Sequence, residues 1–290
     1  MESSRESLHT DCWQPRDSAE ETPMDTNHIA EAAHALRTAE LTRTSIPPLT
    51  ETYPEMTVND AYAIQVALAQ KHFADGRNLI GHKIGLTSKA MQRQMGVDTP
   101  DYGHLFADMV QNERGVFLAN DLISPRVEPE IAFVLKSPLC GPGVTADDVL
   151  SAVDYSVASL EVVDSRIAGW RIKLEDTIAD NGSSARIVLG SVRVPADDLD
   201  LKALSVRVFR NGAEVGQGTG AAILGSPLNA VAWLANALGE RGVTLEAGHL
   251  ILPGAMTASA PAGPGDVITA DFDHLGTVKA EFRSSDESPA

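Results

Sequence analysis

Cysteine is nearly absent from this chain: Cys12 and Cys140 are the two cysteines among 290 residues, and they lie far apart. Two distant thiols favour neither a disulfide framework nor a cysteine-ligated metal site. The sequence also lacks an apolar run of about 18 residues, the length that a membrane helix needs. Its first 25 residues are polar and acidic, unlike an export leader. These absences predict a cytoplasmic protein without membrane insertion.

Positive charge is scarce as well. The chain has 23 Lys and Arg residues against 40 Asp and Glu residues, a formal net charge of -17, and no cluster of basic residues. Nucleic acids and anionic membranes are bound by such clusters, so both partner classes are excluded. A small anionic substrate needs local positive charge, which a bound divalent ion can supply.

Several familiar catalytic patterns are missing too. No Ser or Cys lies in a nucleophile elbow, and His82 and His104 lack a partner at metal-ligand spacing. The stretch 216–220 is rich in glycine but lacks the Lys-Ser/Thr pair of a phosphate-binding loop. We therefore predict an ordinary loop there.

The pattern along the chain predicts three regions. Residues 1–26 carry seven acidic and two basic side chains without an apolar period, which predicts a disordered acidic tail. Residues 27–76 are predicted to form a helical N-terminal region, whose second helix is capped by Thr57 and Asp60. In 77–285, short apolar runs alternate with turn residues and with helices at about 145–155 and 227–238. This predicts an α+β catalytic domain with a mixed or antiparallel sheet.

Two glutamates one residue apart, Glu128 and Glu130, lie in a predicted buried strand. Residues i and i+2 of a strand point to the same face, and two buried carboxylates side by side require a cation. Oxygen ligands suit Mg²⁺ or Mn²⁺. Glu161 and Asp164 are the candidates for a third ligand. The alternative is a surface ion pair between the two glutamates and Arg126 or a lysine.

The intervening Pro129 cannot donate a hydrogen bond to a neighbouring strand, which predicts a sheet edge or a bulge. Farther upstream, the extended run 81–88 places Lys83 on the face opposite its mostly apolar residues. Lys83 is therefore either exposed to solvent or brought to an anionic substrate as a proton carrier.

Two polar segments complete the candidate site. Asp101 lies in a predicted turn-rich loop, 96–104, where it either fixes the turn or acts as an acid or base. The segment 176–184 is dense in hydrogen-bonding groups, and we predict that its Asp180 and Ser183 bind an acidic substrate.

Four segments in the same order carry a family resemblance: 81–88, 96–103, 125–133 and 160–166 continued by 176–181. Over residues 27–285 the chain resembles the 2-keto-4-pentenoate (2-hydroxypenta-2,4-dienoate) hydratases of aromatic meta-cleavage pathways, in the fumarylacetoacetate hydrolase superfamily. The resemblance implies a mixed-sheet or β-roll core, a helical N-terminal part and a homo-oligomer.

The resemblance also implies site residues. It places a Mg²⁺ or Mn²⁺ ion on Glu128, Glu130 and Glu161, and the catalytic pair on Lys83 and Asp101. The implied enzyme is a hydro-lyase that adds water to a 2-hydroxydienoate and yields a 4-hydroxy-2-oxo acid, with the metal stabilising charge at the 2-oxo end.

Three alternatives stay open. The 4-oxalocrotonate decarboxylase branch resembles this chain in the glutamate triad (Glu128, Glu130 and Glu161) and in the strand that carries Lys83. In that branch, however, an apolar residue replaces Asp101 and Trp replaces His82. Both differences favour a hydratase. A hydratase of the longer 2-oxohept-4-ene-1,7-dioate fits as well. A non-catalytic organic-acid binding subunit is disfavoured because Lys83 and Asp101 are both present.

Overall fold

The computed structural model describes residues 23–284, so residues 1–22 of the predicted tail and residues 285–290 lie outside the described part. Its α-helices are α1 (Thr26–Thr42), α2 (Leu49–Thr52), α3 (Val58–Ala74), α4 (Lys89–Met95), α5 (Ala146–Ala152), α6 (Leu174–Ala179) and α7 (Pro227–Gly239). Its strands are β1 (Leu79–Gly85), β2 (Asp101–Phe106), β3 (Val110–Gln111), β4 (Arg114–Leu118), β5 (Arg126–Leu135), β6 (Val153–Val163), β7 (Ser184–Leu189), β8 (Ser205–Arg210), β9 (Ala213–Thr219), β10 (Leu250–Leu252), β11 (Ala260–Pro261), β12 (Val267–Phe272) and β13 (Gly276–Arg283).

The strands form two mixed sheets. The larger has the order β2-β1-β10-β5-β6-β7-β3, and β11 also pairs with β5; the smaller has the order β4-β13-β12-β8-β9. In the larger sheet β1 runs parallel to β10 and β3 parallel to β7, while the other pairs are antiparallel. This topology, with helices preceding the sheets, confirms the predicted α+β class with a mixed-sheet core.

Strands β5 and β6 are the centre of the larger sheet. Their residues are buried over most of their length on both faces, as in the run from Ile131 to Phe133 and from Leu160 to Val163. A strand covered on both faces has a continuous apolar sequence, interrupted only where a polar group has a function or a partner. The glutamates of β5 and β6 are such interruptions.

Among the N-terminal helices, α3 packs beside β2 and α1 packs on α3. Asp25 caps α1, and Thr57 and Asp60 form the predicted capping box at the start of α3. The buried Gln65 amide donates hydrogen bonds of 2.8 Å to the carbonyls of Tyr102 and Ile178. Helix α3 is thereby tied to β2 and α6, two elements that carry site residues.

Two predicted boundaries differ from the structure. The helix expected at 145–155 ends at Ala152, because the β-branched run that follows joins the central sheet as β6. The glycine-rich stretch expected to be a loop is strand β9 up to Thr219. Gly218 is needed there, since a Cβ atom at this position would lie 2.0 Å from the carbonyl oxygen of Met256.

Pro129 does not mark a sheet edge. It lies inside β5, opposite Leu160 of β6. On the side away from β6, β5 pairs with β11 at residues 126–127 and with β10 at residues 133–134. Position 129 lies between these two pairings, so neither β11 nor β10 requires a backbone N–H from it. The Pro129 carbonyl instead accepts a hydrogen bond of 3.0 Å from the Met256 N–H.

Helix α7 belongs to the core. By length and composition alone, the stretch Gly220–Gly239 could cross a membrane. However, α7 itself has 13 residues, fewer than the ~20 that span a bilayer. Seven of its residues, including Leu234 and Leu238, are buried against the rest of the fold.

The capping box of α3 gives the first testable prediction. Thr57→Ala removes the hydroxyl that accepts the Asp60 N–H, and we expect the free energy of unfolding to fall by ~1 kcal/mol. Urea denaturation measures this loss. The control is Thr42→Ala at the exposed end of α1, with an expected change below ~0.5 kcal/mol. Equal losses in the two variants would contradict a stabilising cap.

Candidate active site

The register of β5 and β6 brings three glutamates together. Glu128 lies directly opposite Glu161, and Glu130 follows on the same face of β5. One carboxylate oxygen from each lies within 4.8 Å of the other two. The other candidate ligand, Asp164, turns away: its carboxylate accepts the N–H groups of Ile123 and Ser124 at 2.8 and 2.6 Å.

The chemistry of this cluster fits a divalent cation. Glu130 and Glu161 are buried, and neither oxygen of Glu161 has a hydrogen-bond partner in the described structure. Burial raises the pKa of Glu128 to about 7 and that of Glu130 well above its usual value, and the negative charge of Glu161 adds to both shifts. Carboxylates so placed repel one another unless protons or a cation neutralise them, and an all-oxygen site suits Mg²⁺ or Mn²⁺.

Lys83 supplies one positive charge to the cluster. Its side chain is buried, with Nζ 3.3 Å from Oε2 of Glu161 and donating a hydrogen bond of 2.9 Å to the Gly182 carbonyl. Burial alone would lower the lysine pKa, but the carboxylates of Glu161 and Asp101 outweigh it and raise that pKa. Lys83 is therefore a charged group inside the protein rather than an exposed surface lysine.

Asp101 lies beside Lys83 because of the register between strands β1 and β2. In the antiparallel pair β1–β2, Gly85 faces Asp101 and Lys83 faces Gly103. A Cβ atom at Gly85 would lie 2.1 Å from Oδ1 of Asp101, so glycine is required to make room for the carboxylate. That oxygen is buried without a hydrogen-bond partner in the described structure, and burial raises the pKa of Asp101.

The loop 181–183 holds Lys83 with a strained backbone. Asn181, Gly182 and Ser183 have φ angles of 56°, 58° and 56°, all left-handed. Two of these residues are not glycine, and such conformations are costly unless the surroundings fix them. The Asn181 side chain does so, accepting the His104 N–H at 2.7 Å and donating to the His104 carbonyl at 2.9 Å. The loop thus aims the Gly182 carbonyl at the Lys83 ammonium.

A cavity of about 480 Å³ opens beside the glutamates. Its polar lining includes Lys83, Asp101, Glu128 and Ser183. Its apolar wall includes Ile84, Leu86, Met91, Val163, Trp170, Ile172 and Met256. The volume suits a small organic ligand with one charged end and one apolar end.

The two predicted substrate-binding residues are placed differently. Ser183 lines the cavity, and its hydroxyl donates to the Asp180 carboxylate at 3.1 Å. Asp180 lies behind the loop, outside the cavity lining, where it accepts the Arg166 backbone N–H at 3.0 Å and forms an ion pair with the buried Arg166 guanidinium. Asp180 therefore stabilises the loop, and substrate binding by this residue stays a prediction.

Sequence reasoning missed two residues of the cavity, Arg126 and Trp170. Arg126 appeared only as an ion-pair alternative for the glutamates, but its guanidinium lies 4.7 Å from the centre of the Trp170 ring. The signal was its i−2 spacing from Glu128, which places both side chains on one face of β5. No local pattern indicated Trp170, because it reaches the cavity from a separate turn.

Comparison with known proteins identifies relatives of the whole fold. Residues 71–283 match the family described as fumarylacetoacetate (FAA) hydrolase C-terminal. A 2-keto-4-pentenoate hydratase of Paraburkholderia xenovorans strain LB400 is 46% identical over 255 residues, covering 88% of this chain and 95% of the relative. A 4-oxalocrotonate decarboxylase of Pseudomonas putida is 42% identical over 259 residues, covering 89% and 98%.

A solved structure has the same fold. The 4-oxalocrotonate decarboxylase from Pseudomonas putida G7, complexed with magnesium and adipate, superposes with a TM-score of 0.87 at 40% identity, covering 89% of this chain and 98% of that one. The similarity therefore extends over most of this chain.

The glutamate cluster predicts metal-dependent stability. Because the folded-state pKa of Glu128 is raised to about 7, ion-free protein retains a proton there at low pH, and the resulting stability is lost as the pH rises through 7. Mg²⁺ or Mn²⁺ at ~100 times Kd should raise the melting temperature by ~5 °C at about pH 8, and by less at about pH 5.5.

Differential scanning calorimetry checks this prediction with matched variants. Glu161→Gln should abolish the metal-induced shift, whereas the exposed Glu55→Gln should retain it. A full shift in Glu161→Gln would rule out the triad as the metal site.

Breaking the buried ion pair between Arg166 and Asp180 is predicted to lower the stability of the protein strongly. Asp180→Asn leaves the Arg166 guanidinium buried without its counter-charge, and we expect the free energy of unfolding to fall by ~3 kcal/mol. Glu51→Gln breaks the exposed pair with Arg171 and should cost less than ~1 kcal/mol. A small effect of Asp180→Asn in urea denaturation would contradict its structural role.

Proposed function

This chain belongs to the fumarylacetoacetate hydrolase family, and we propose that it is a metal-dependent hydro-lyase of the 2-keto-4-pentenoate hydratase type. Its substrate would be a 2-hydroxypenta-2,4-dienoate, which gains water to yield a 4-hydroxy-2-oxo acid in aromatic meta-cleavage catabolism. The 46% identity over 88% of the chain supports this reaction class. A homo-oligomeric state and a cytoplasmic location remain predictions.

The metal would be held by Glu128, Glu130 and Glu161. Mg²⁺ or Mn²⁺ bound there would neutralise the carboxylates and withdraw electrons from the 2-oxo acid end of the substrate. The buried, unpartnered oxygens of Glu161 and the 4.8 Å cluster of ligand atoms support this assignment.

Lys83 and Asp101 would move the protons. They are neighbours on one face of the β1–β2 pair, and both line the cavity. Lys83 is held charged between Glu161 and the Gly182 carbonyl, so its ammonium can donate toward the substrate. The unpartnered Oδ1 of Asp101 lacks a competing hydrogen bond and can exchange a proton with substrate or water.

The observation that carries the choice of hydratase is this Asp101 carboxylate. It is buried at the cavity beside Lys83, and space for it exists only because residue 85 is glycine. A buried carboxyl group with one unsatisfied oxygen is costly unless a ligand or a proton uses it. Hydration requires such a group because protons must be managed at carbon and at the incoming water.

Decarboxylation of 4-oxalocrotonate is the second candidate, supported by the 42% identity of the decarboxylase and by the TM-score of 0.87. That reaction needs the same charge stabilisation at the 2-oxo end. The two functions therefore differ in the proton transfers that they require and in their products, whereas both would use the triad.

The test is turnover with Mg²⁺ present. We expect the dienol absorbance of 2-hydroxypenta-2,4-dienoate to disappear as 4-hydroxy-2-oxopentanoate forms. Asp101→Asn should lower kcat by ~100-fold or more, while Asp98→Asn, an exposed aspartate of the preceding loop, should not change it. Carbon dioxide release from 4-oxalocrotonate without hydration of the dienoate would move the assignment to a decarboxylase.

A further inference from the structure

We infer that Arg126, held in place by Trp170, binds the C1 carboxylate of a 2-oxo acid substrate and thereby selects acids over their esters or amides. The inference rests on the proposed function, because it takes the 2-oxo acid class from it. Arg126 would be a substrate-binding residue additional to the triad and the Lys83–Asp101 pair.

Arg126 is available for an anion. It lines the cavity close to the charge of Glu128, yet among residues 23–284 its guanidinium forms neither a salt bridge nor a hydrogen bond. The other cavity cation, Lys83, is engaged by Glu161 and by the Gly182 carbonyl. A guanidinium offers two parallel N–H donors that match the two oxygens of a carboxylate.

The Trp170 ring holds the Arg126 guanidinium in place. The Arg126 Cζ atom lies 4.7 Å from the centre of the indole ring, within the range of a cation–π contact. Trp170 has a φ angle of 56°, directly after Gly169 at 66°. A left-handed backbone is uncommon for so bulky a residue and indicates that the surroundings hold it. The indole N–H anchors the ring by donating to the Ser124 carbonyl at 3.0 Å.

The strand register decides which end of the substrate reaches Arg126. Lys83 pairs with Leu252 of β10, and β10 pairs with β5 at Phe133 and Val134. Arg126 is the first residue of β5, at the opposite end of the strand. Along β5, Glu128 and Glu130 therefore lie between Arg126 and the part of the strand that is level with the Lys83 backbone.

This order orients a 2-oxo acid. When its reacting carbons C3 to C5 extend toward Lys83 and Asp101, C1 lies at the other side of the glutamates. Arg126 is two residues, or ~7 Å of strand, from Glu128 on the same face. A long side chain starting there can reach a carboxylate held beside the glutamates. The geometry therefore assigns Arg126 to C1 and not to a second carboxylate at the far end of a longer substrate.

The experiment measures binding without turnover. Isothermal titration calorimetry in saturating Mg²⁺ would compare 2-oxopentanoate, its methyl ester and 2-oxohexanedioate, none of which carries the reactive diene. Wild type should bind the acid more tightly than the ester. Arg126→Met should weaken both acids by the same factor, ~10- to 100-fold, and leave the ester unchanged.

Matched variants separate this role from a general loss of structure. Arg126→Lys keeps the positive charge but loses the two parallel N–H donors, so it should retain only part of the wild-type affinity for the acids. Trp170→Phe should preserve most of the binding, and Trp170→Leu should weaken it ~3-fold. Arg171→Met, an exposed arginine of the adjoining turn, is the control and should bind like wild type. In every variant Mg²⁺ should still raise the melting temperature.

Three outcomes would overturn the inference: no preference of wild type for the acid, unchanged acid binding in Arg126→Met, or a loss confined to 2-oxohexanedioate. The last would place Arg126 at the substrate tail. Failure of the proposed function looks different. Wild type that does not hydrate the dienoate, but binds 2-oxopentanoate in an Arg126-dependent way, would refute the hydratase and leave the inference intact.

Discussion

The pairing of Glu128 with Glu161 across two central strands is the constraint on which the rest of the site depends. The sheet is covered on both faces here, so the register that aligns the apolar residues also places three carboxylates in one cluster, with Glu130 and Glu161 buried and Glu128 half-buried at the cavity. A slip of one residue would turn Glu128 and Glu130 to the opposite face. Burying like charges is unfavourable, so the cluster must be neutralised, which Lys83, bound protons or a cation can do.

Two glycines in neighbouring segments provide space for the charged groups around the triad. Gly85 leaves room for the Asp101 carboxylate, and Gly182 leaves room for the Lys83 side chain, whose Cδ would lie 2.9 Å from a Cβ atom at residue 182. These glycines allow one ammonium and one further carboxyl group to reach a cluster that is already crowded. The strained loop that carries Gly182 is stabilised in turn by Asp180, so the distant ion pair contributes to the position of the Lys83 ammonium.

Local sequence predicted the parts of the site that depend on strand periodicity. The i, i+2 rule indicated that Glu128 and Glu130 share a face, and the composition of the run indicated a buried strand. Periodicity could not predict burial of Lys83, because both faces of β1 are covered by elements far away in sequence. Asp101 was expected in a turn but begins β2, and Asp180 was expected to face a ligand but meets Arg166. Each difference arises from a partner distant in the chain.

Neither the triad nor Lys83 can separate the two reactions found among the relatives, because hydration and decarboxylation both place negative charge at the 2-oxo end of the substrate. A group that recognises C1 is equally uninformative, since both substrates carry that carboxylate. In the proposed function, the reactions would differ in whether a second proton carrier is present when water must be added. In this chain the proposed second carrier is Asp101, whose unsatisfied oxygen lies in space that Gly85 provides. In the proposed function, the β1–β2 pair would therefore decide which reaction occurs, while β5 and β6 would stabilise the charge.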